Sequence, residues 1–390
     1  MSQHPITKAI RIQTERTNEM EHATPMFLTS SFCFDNAEDM RAAFADESDD
    51  NIYSRFSNPS VREFTDKICA LEGAEAAYAT SSGMSAVFAS FMALLKKGDH
   101  LLSCNAIFGS THTVISKYLP KYGMEYSYVG AGATLQEWEA AIRPNTKMIY
   151  IETPTNPGLE ILDLEMIAAL AKKHNIILNV DNCFATPISQ RPIDLGADLV
   201  VHSATKWIDG QGRVLGGVIT GRKDLIHEVY LFCRSTGPAM SPFNAWVLSK
   251  SLETLDVRME RHAANALKIA HALENHPKIS FLKYPFLPSH PQHAIAIKQM
   301  KNGGGIVCFN LKGGLESGRS FLNNLKMLSL TANLGDTRSI ASHPASTTHA
   351  KLTEEERCAV NITPGLIRIS VGLEHADDIL QDILQALDKS

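Results

Sequence analysis

Three short segments of this chain carry residue types that can do covalent and acid–base chemistry. Ser81-Ser82-Gly83-Met84-Ser85 follows the apolar run Ala76–Thr80 and enters a helical pattern, Asp181-Asn182 follows Ile176–Val180, and Ser203-Ala204-Thr205-Lys206 follows Asp198–His202. A lysine amine attacks carbonyl carbon and, once released, serves as a base. An acid at a strand end can hold a heterocyclic nitrogen protonated through a charge-assisted hydrogen bond. A glycine at a helix start lets backbone N–H groups approach an anion, which the helix dipole also favours. Taken singly, these segments also describe an ordinary helix cap, a turn acid and a solvated lysine. In order on successive strand ends, they describe one site.

That site suits a ligand with a phosphate, an aldehyde and a protonatable ring nitrogen, which is the chemistry of pyridoxal 5'-phosphate (PLP). Gly83 at the helix start would let the backbone come close to the phosphate, with Ser203 and Thr205 adding hydroxyls. Asp181 would face the ring nitrogen and make the ring an electron sink, and Lys206 would carry the cofactor through an imine.

For the three ends to meet, the runs before them must be strands of one open sheet, where ligands sit at the carboxyl edge. Ala76–Thr80, Leu101–Cys104, Met148–Glu152, Ile176–Val180, Asp198–His202 and Val214–Thr220 are short apolar runs that suit strands buried on both faces. Helical spacing joins Val61, Phe64, Ile68 and Leu71 up to Gly73. A helix is expected from Ser85 to Lys97, with Lys96 and Lys97 in its last turn, and another near 135–142, opened by the capping-box pair Thr134 and Glu137. Beyond about 240 the texture changes to a long helical stretch (241–274), strands at Ile279–Tyr284, Ile306–Leu311 and Leu366–Val371, and a last amphipathic helix near 376–388. The division expected is an N-terminal arm (1–50), an α/β cofactor domain (51–245) and a smaller C-terminal α+β domain (246–390).

Composition narrows the class. Hydrophobic residues make up 44% and charged residues 20%, the balance of a globular protein. The formal charge of -5 gives no general attraction to nucleic acid or anionic membranes. The seven cysteines (33, 69, 104, 183, 233, 308, 358) are scattered and never form C-x-x-C, which fits reduced thiols rather than disulfides or zinc. With no apolar leader and no run of 18 apolar residues, a cytoplasmic protein is expected. No phosphate-loop or G-x-S-x-G pattern occurs. His343 and His349 lack metal-ligand spacing and read as loop and cap residues; no metal is expected. Cys183, next to the Asp181 end, reads as a small residue packed near the ligand rather than a nucleophile.

Val180-Asp181-Asn182, His202-Ser203-Ala204-Thr205-Lys206 and Gly216-Gly217 together resemble the cofactor signature of the Cys/Met-metabolism family of fold-type I PLP enzymes, and the 25 positions from Asp181 to Lys206 fit it. So do Tyr53-Ser54-Arg55-Phe56-Ser57-Asn58-Pro59, Ser82-Gly83-Met84, Glu152-Thr153-Pro154-Thr155-Asn156-Pro157 and Leu366-Ile367-Arg368-Ile369-Ser370. The resemblance implies an α/β fold with a mostly parallel seven-stranded sheet. It also implies a homo-oligomer, a tetramer built as a dimer of dimers, in which Tyr53 and Arg55 reach the neighbouring subunit's cofactor. Asn156 and Arg368 would hold the substrate α-carboxylate, with Ser339 nearby; a guanidinium fork suits two-point contact.

Within the family, Gly210-Gln211-Gly212-Arg213 and Asn333-Leu334-Gly335-Asp336-Thr337-Arg338 resemble O-succinylhomoserine sulfhydrylases. Arg338 stands where lyases and cystathionine synthases of the family usually carry glutamate, and it would either meet a succinyl carboxylate or lie outside the site. Phe108 replaces a ring-stacking tyrosine, keeping the flat surface without a hydroxyl, so acid–base work falls to Lys206, with Tyr53 as a second candidate. Ser110 stands where methionine γ-lyases carry a reactive cysteine. The expected substrates are an acylated homoserine and sulfide. Cystathionine γ-synthase and O-acetylhomoserine sulfhydrylase are the alternatives, and a PLP-fold binding protein without turnover is the alternative of another class.

Overall fold

The computed structural model describes residues 3–347 and 362–390, so His349 and Cys358 lie outside the described residues. The first sheet has seven strands: β1 (Ala76–Thr80), β2 (His100–Cys104), β3 (Glu125–Val129), β4 (Thr146–Glu152), β5 (Ile177–Asp181), β6 (Leu199–Ser203) and β7 (Gly217–Gly221). Their order is β1-β7-β6-β5-β4-β2-β3, and only β7 runs against the rest. The apolar runs are continuous because both faces are covered. Leu101, Met148, Tyr150, Leu199 and Val201 pack with the helix Gly83–Leu94, while Leu102, Ile149, Ile151 and Val200 pack with Leu164–Lys173.

The second sheet joins β8 (Ile279–Lys283), β9 (Ile306–Leu311), β10 (Ser329–Leu330), β11 (Ile340–Ser342) and β12 (Leu366–Ser370) in the order β10-β11-β12-β9-β8 among the described residues. One face of it, with Val307, Phe309, Ile367 and Ile369, packs on Ile379 and Ile383 of the last helix (Ala376–Asp388). The other face, with Ile306, Cys308 and Leu366, joins the core around Trp207 and Ile208. Alternation along β12 therefore turns Arg368 away from the small core and toward the first sheet's rim.

Several elements differ from the sequence expectation for local reasons. The helix expected to reach Lys97 stops at Leu94: Leu95 is already extended, and the Lys96 N–H is taken by the Asp99 carboxylate at 2.9 Å. β7 starts at Gly217 rather than Val214, because Gly216 is spent on Thr205, whose hydroxyl accepts its N–H at 3.1 Å. The stretch 241–274 is two helices, Pro242–Leu252 and Leu255–Leu273. Arg258 of the second pairs with no carboxylate among the described residues; its guanidinium donates to the carbonyls of Ser251, Trp207 and Ile208 at 2.9, 2.6 and 3.1 Å, and so braces the turn after Lys206. The Pro242–Leu252 helix packs Val247, Leu248 and Leu252 with Phe64 and Ile68 of the helix Pro59–Glu72. β3 has no counterpart in the sequence reading; Glu125–Val129 alternates polar and aromatic residues at the sheet edge.

The N-terminal segment contains two short helices, Pro5–Arg11 and Ala37–Phe44. Part of it lies on this chain's own body: the Trp246 indole N–H donates to the Thr24 carbonyl at 2.9 Å, and the Thr14 N–H to the Glu63 carboxylate at 3.1 Å. No described helix is long and apolar enough to cross a membrane. The six described cysteines are unpaired. His343 is buried, with Nδ1 at 2.8 Å from the Ser346 hydroxyl and Nε2 at 2.7 Å from the Pro364 carbonyl, a loop role.

Candidate active site

The carboxyl ends of β1, β5 and β6 open on one cavity of ≈ 280 Å³, lined by Gly83, Met84, Asp181, Ser203, Thr205 and Lys206. Phe108, Asn156 and Arg368 complete its walls, so nine residues singled out from the sequence share it.

At one end lies the start of the helix Gly83–Leu94. Ser82 caps it, accepting the Ser85 N–H at 3.1 Å, and the Gly83 and Met84 N–H groups have no acceptor within the helix. A Cβ on residue 83 would stand 2.6 Å from the Ser203 Cβ, so only glycine lets helix and strand end meet. Gly217 serves the same junction from β7: a Cβ there would stand 2.0 Å from the Ser82 carbonyl oxygen.

Asp181 lies at depth. Its carboxylate accepts the Cys183 N–H at 3.0 Å and the Tyr150 hydroxyl at 3.2 Å, and it joins no ion pair among the described residues. Burial pushes this carboxyl up, against the pull of the Cys183 N–H, nearby His202 and the Tyr150 hydroxyl. A protonated ring nitrogen would restore its charge. Cys183 lines the cavity with a thiol that burial keeps protonated.

Lys206 lines the same cavity, its Nζ donating to the Asn333 side-chain oxygen at 2.7 Å. Burial lowers the pKa of this amine, and the positive charge of Arg368 adds to the effect, which brings it toward the range of a usable base. Arg368 is only 5% exposed, yet no carboxylate pairs with it among the described residues. Nη1 donates to the Asn156 amide oxygen at 2.9 Å and Nη2 to the Asn333 carbonyl at 3.3 Å, while the buried Nε finds no partner. A desolvated cation that lines a cavity without a carboxylate partner suits an anionic group there.

PLP fits this set. The chain offers N–H and hydroxyl donors at one end for a phosphate, an unpaired acid at depth for a ring nitrogen, and between them an amine of lowered basicity for an aldehyde.

Four residues expected at the site lie outside this cavity. Tyr53 is 42% exposed, and Arg55 stacks on Phe56 and donates to the Arg234 carbonyl; both border a separate hollow with Phe32 and Met40. Ser339 is fully buried, its hydroxyl donating to Glu374 at 2.9 Å and accepting the Gly372 N–H at 2.8 Å. The place beside the guanidinium belongs to Asn333. Arg338 is exposed and folded onto Asp336 at 2.9 Å. It stands at the edge of a side cavity of ≈ 340 Å³ that shares Thr205, Lys206, Leu215 and Ala332 with the main one. Its Nη2 would lie 3.7 Å from a Cβ on Gly212, which lines that side cavity.

Glu152, Tyr150 and Asn333 carry site geometry that the sequence reading did not assign. Glu152 was within reach: it ends a strand one place from Asp181's strand, as Asp181 ends its own. Tyr150 and Asn333 carry no such mark, one lying inside a strand and one in a loop.

Comparison with known proteins agrees with this geometry. The family described as Cys/Met metabolism PLP-dependent enzyme matches residues 6–388. An O-succinylhomoserine sulfhydrylase of Pseudomonas aeruginosa is 47% identical, over 98% of this chain and 94% of its own length. An L-methionine gamma-lyase of Porphyromonas gingivalis is 44% identical, over 94% of this chain and 92% of its own. A crystal structure of a putative O-acetylhomoserine (thiol)-lyase of Campylobacter jejuni, with a pyridoxyl-lysine monophosphate, superposes with TM-score 0.94 at 33% identity, covering 99% of this chain and all of that one (100%). The rim, the unpaired acid and the amine between them are thus found in a chain that belongs to the Cys/Met metabolism family of PLP-dependent enzymes, with pyridoxal phosphate as its cofactor.

Proposed function

We propose that this chain catalyses γ-replacement on an acylated homoserine, O-succinyl-L-homoserine and sulfide giving L-homocysteine and succinate. The observation that carries the reading is its 47% identity, nearly end to end, to an O-succinylhomoserine sulfhydrylase, joined by 43% identity to that of Mycobacterium tuberculosis. L-methionine gamma-lyases stand close behind at 44%, but Ser110 occupies the position where the resemblance implies their reactive cysteine.

When bound, PLP supplies an electron sink for charge developing at the substrate Cα. The protein's part is to hold and to move protons. Arg368 and Asn156 bind the α-carboxylate and fix the Cα–H bond. Lys206, once its amine is free, takes the Cα proton and returns it later. Asp181 keeps the ring nitrogen protonated, while Gly83, Met84, Ser203 and Thr205 hold the phosphate and Phe108 covers the ring. A second proton then leaves Cβ, which lets the Cγ–O bond break and succinate depart; sulfide adds its sulfur at Cγ, and the protons return to Cβ and Cα, without net oxidation. The side cavity beside Lys206 suits the acyl tail, with Arg338 able to swing from Asp336 to a distal carboxylate. Tyr53 and Arg55 complete a neighbour's site, in a cytoplasmic homotetramer arranged as a dimer of dimers.

The test is an assay matrix of succinyl- and acetyl-homoserine against sulfide and cysteine. Homocysteine from the succinyl ester and sulfide is expected as the main product, and Arg338→Ala raises KM several-fold for the succinyl ester alone. Cystathionine as the main product, or rapid release of 2-oxobutyrate from methionine, overturns the assignment. An equal effect of Arg338→Ala on both esters removes Arg338 from the acyl subsite.

A further inference from the structure

Glu152 ends β4 in register with Asp181 at the end of β5, so the two carboxyls leave the same face of the sheet side by side. Glu152 is 4% exposed and joins no ion pair among the described residues. Its two oxygens are nevertheless both used: one accepts the Phe108 N–H at 2.8 Å and the other the Asn156 N–H at 2.7 Å. These donors sit on different loops, one after β2 and one after β4. From Asn156 the chain of contacts goes on through its side-chain oxygen to Arg368 at 2.9 Å.

A buried acid beside another acid is an expensive choice. Burial, then Asp181 and Glu160, push the Glu152 carboxyl up, and the Phe108 and Asn156 N–H groups pull it back. The alternatives fail at this geometry. An apolar side chain would leave two buried N–H groups unpaired, and glutamine would turn an NH2 donor against one of them. Two convergent donors select a carboxyl.

We propose that Glu152 is a positioning residue that couples the aromatic wall of the cofactor site to the clamp for the substrate carboxylate. It holds Phe108 and Asn156 at one fixed separation, so that disturbing it moves cofactor and substrate together. The inference rests on the family and its cofactor, not on which acyl ester is the substrate.

The experiment compares holoenzymes of Glu152→Gln, Phe108→Leu and Asn156→Ala with wild type. Two quantities are read: visible circular dichroism of the bound cofactor, and the half-saturation of spectral titration with glycine, which engages the carboxylate clamp and has no side chain. Phe108→Leu alters the first and Asn156→Ala the second. Glu152→Gln alters both, weakening glycine by about tenfold and lowering the visible dichroism in the same sample. Glu152→Ala gives the larger form of the same double effect if it folds. A Glu152→Gln enzyme that shifts neither signal, or only one, overturns the coupling. So does loss of cooperative unfolding in both Glu152 variants, which assigns the residue to stability alone. Because glycine is the probe, an error in the acyl-ester reading leaves the result unchanged.

Discussion

Lys67 and Arg368 are both buried cations, and the chain treats them in opposite ways. Lys67, on the helix Pro59–Glu72, is completely buried between Glu63 at 3.0 Å and Glu253 at 2.8 Å. Glu63 also accepts the Ser249 hydroxyl at 2.7 Å and the Thr14 N–H, so the cluster ties three segments of the large unit together. Among the described residues Arg368 donates only to neutral oxygens, and its buried Nε finds no partner. Desolvating a charge costs several kcal/mol unless something compensates it. Where the chain compensates fully, the charge is architecture. Where it stops short, the cation is the place proposed for the substrate carboxylate.

The largest effect expected from this contrast is on Arg368. Arg368→Ala should lower kcat/KM by on the order of 10³-fold, the loss expected for the buried charged contact proposed for the substrate carboxylate. The midpoint of chemical unfolding should stay the same or rise, because an uncompensated buried charge is gone. A variant that keeps near-normal kcat/KM, or that loses several kcal/mol of stability, breaks the comparison from the Arg368 side.

Lys67 should behave in the reverse manner. Lys67→Met leaves the buried Glu63 with the more distant Lys250 ammonium at 3.6 Å, while Glu253 keeps Lys250 at 3.1 Å, at a cost of about 3 kcal/mol of stability. The protein that remains folded should turn over within about twofold of wild type, since Lys67 lines no part of the cavity. Unchanged stability would show the cluster to be incidental.

The same contrast explains how far the sequence could be read. Asp181, Lys206 and Gly83 were legible because chemistry at a strand end punctuates an apolar run, and punctuation survives in one dimension. Six of the seven strands in the first sheet were legible for the same reason, their two covered faces leaving unbroken apolar runs. β3 was not, because its aromatic and polar alternation at the sheet edge resembles a loop. Asn333 was hidden because its value lies in a contact 127 positions away, from the Lys206 amine. Ser339 was misplaced through resemblance alone: nothing in the sequence reveals that Glu374 and Gly372 consume its hydroxyl. Tyr53 and Arg55 were carried over from the resemblance alone, and in this chain they border the hollow with Phe32 and Met40. The pairing of Lys67 had no sequence mark beyond Glu63 one helical turn before it, a spacing shared by many exposed pairs.

Acid sharpens the comparison, with a smaller effect, because only one of the two cations depends on carboxylates. Burial pushes the Glu63 carboxyl up, but the neighbouring Thr24 and Ser249 hydroxyls and the Lys67 ammonium outweigh it and bring it down from 4.5 to about 2. A folded-state value below the unfolded one contributes stability that is fully present above the unfolded pKa, near 4.5, and is lost as pH falls through about 2. At about 1.4 kcal/mol per pH unit of separation, the contribution is on the order of 3 kcal/mol. Unfolding midpoints measured from pH 6 downward should therefore show a shallower acid limb for Glu63→Gln than for wild type, the two curves converging as pH falls. Arg368→Ala removes no titrating acid and no carboxylate pair, so its acid limb should run parallel to wild type. Parallel curves for Glu63→Gln would mean that the Lys67 cluster does not hold its acid ionised, and the two cations would no longer differ in kind.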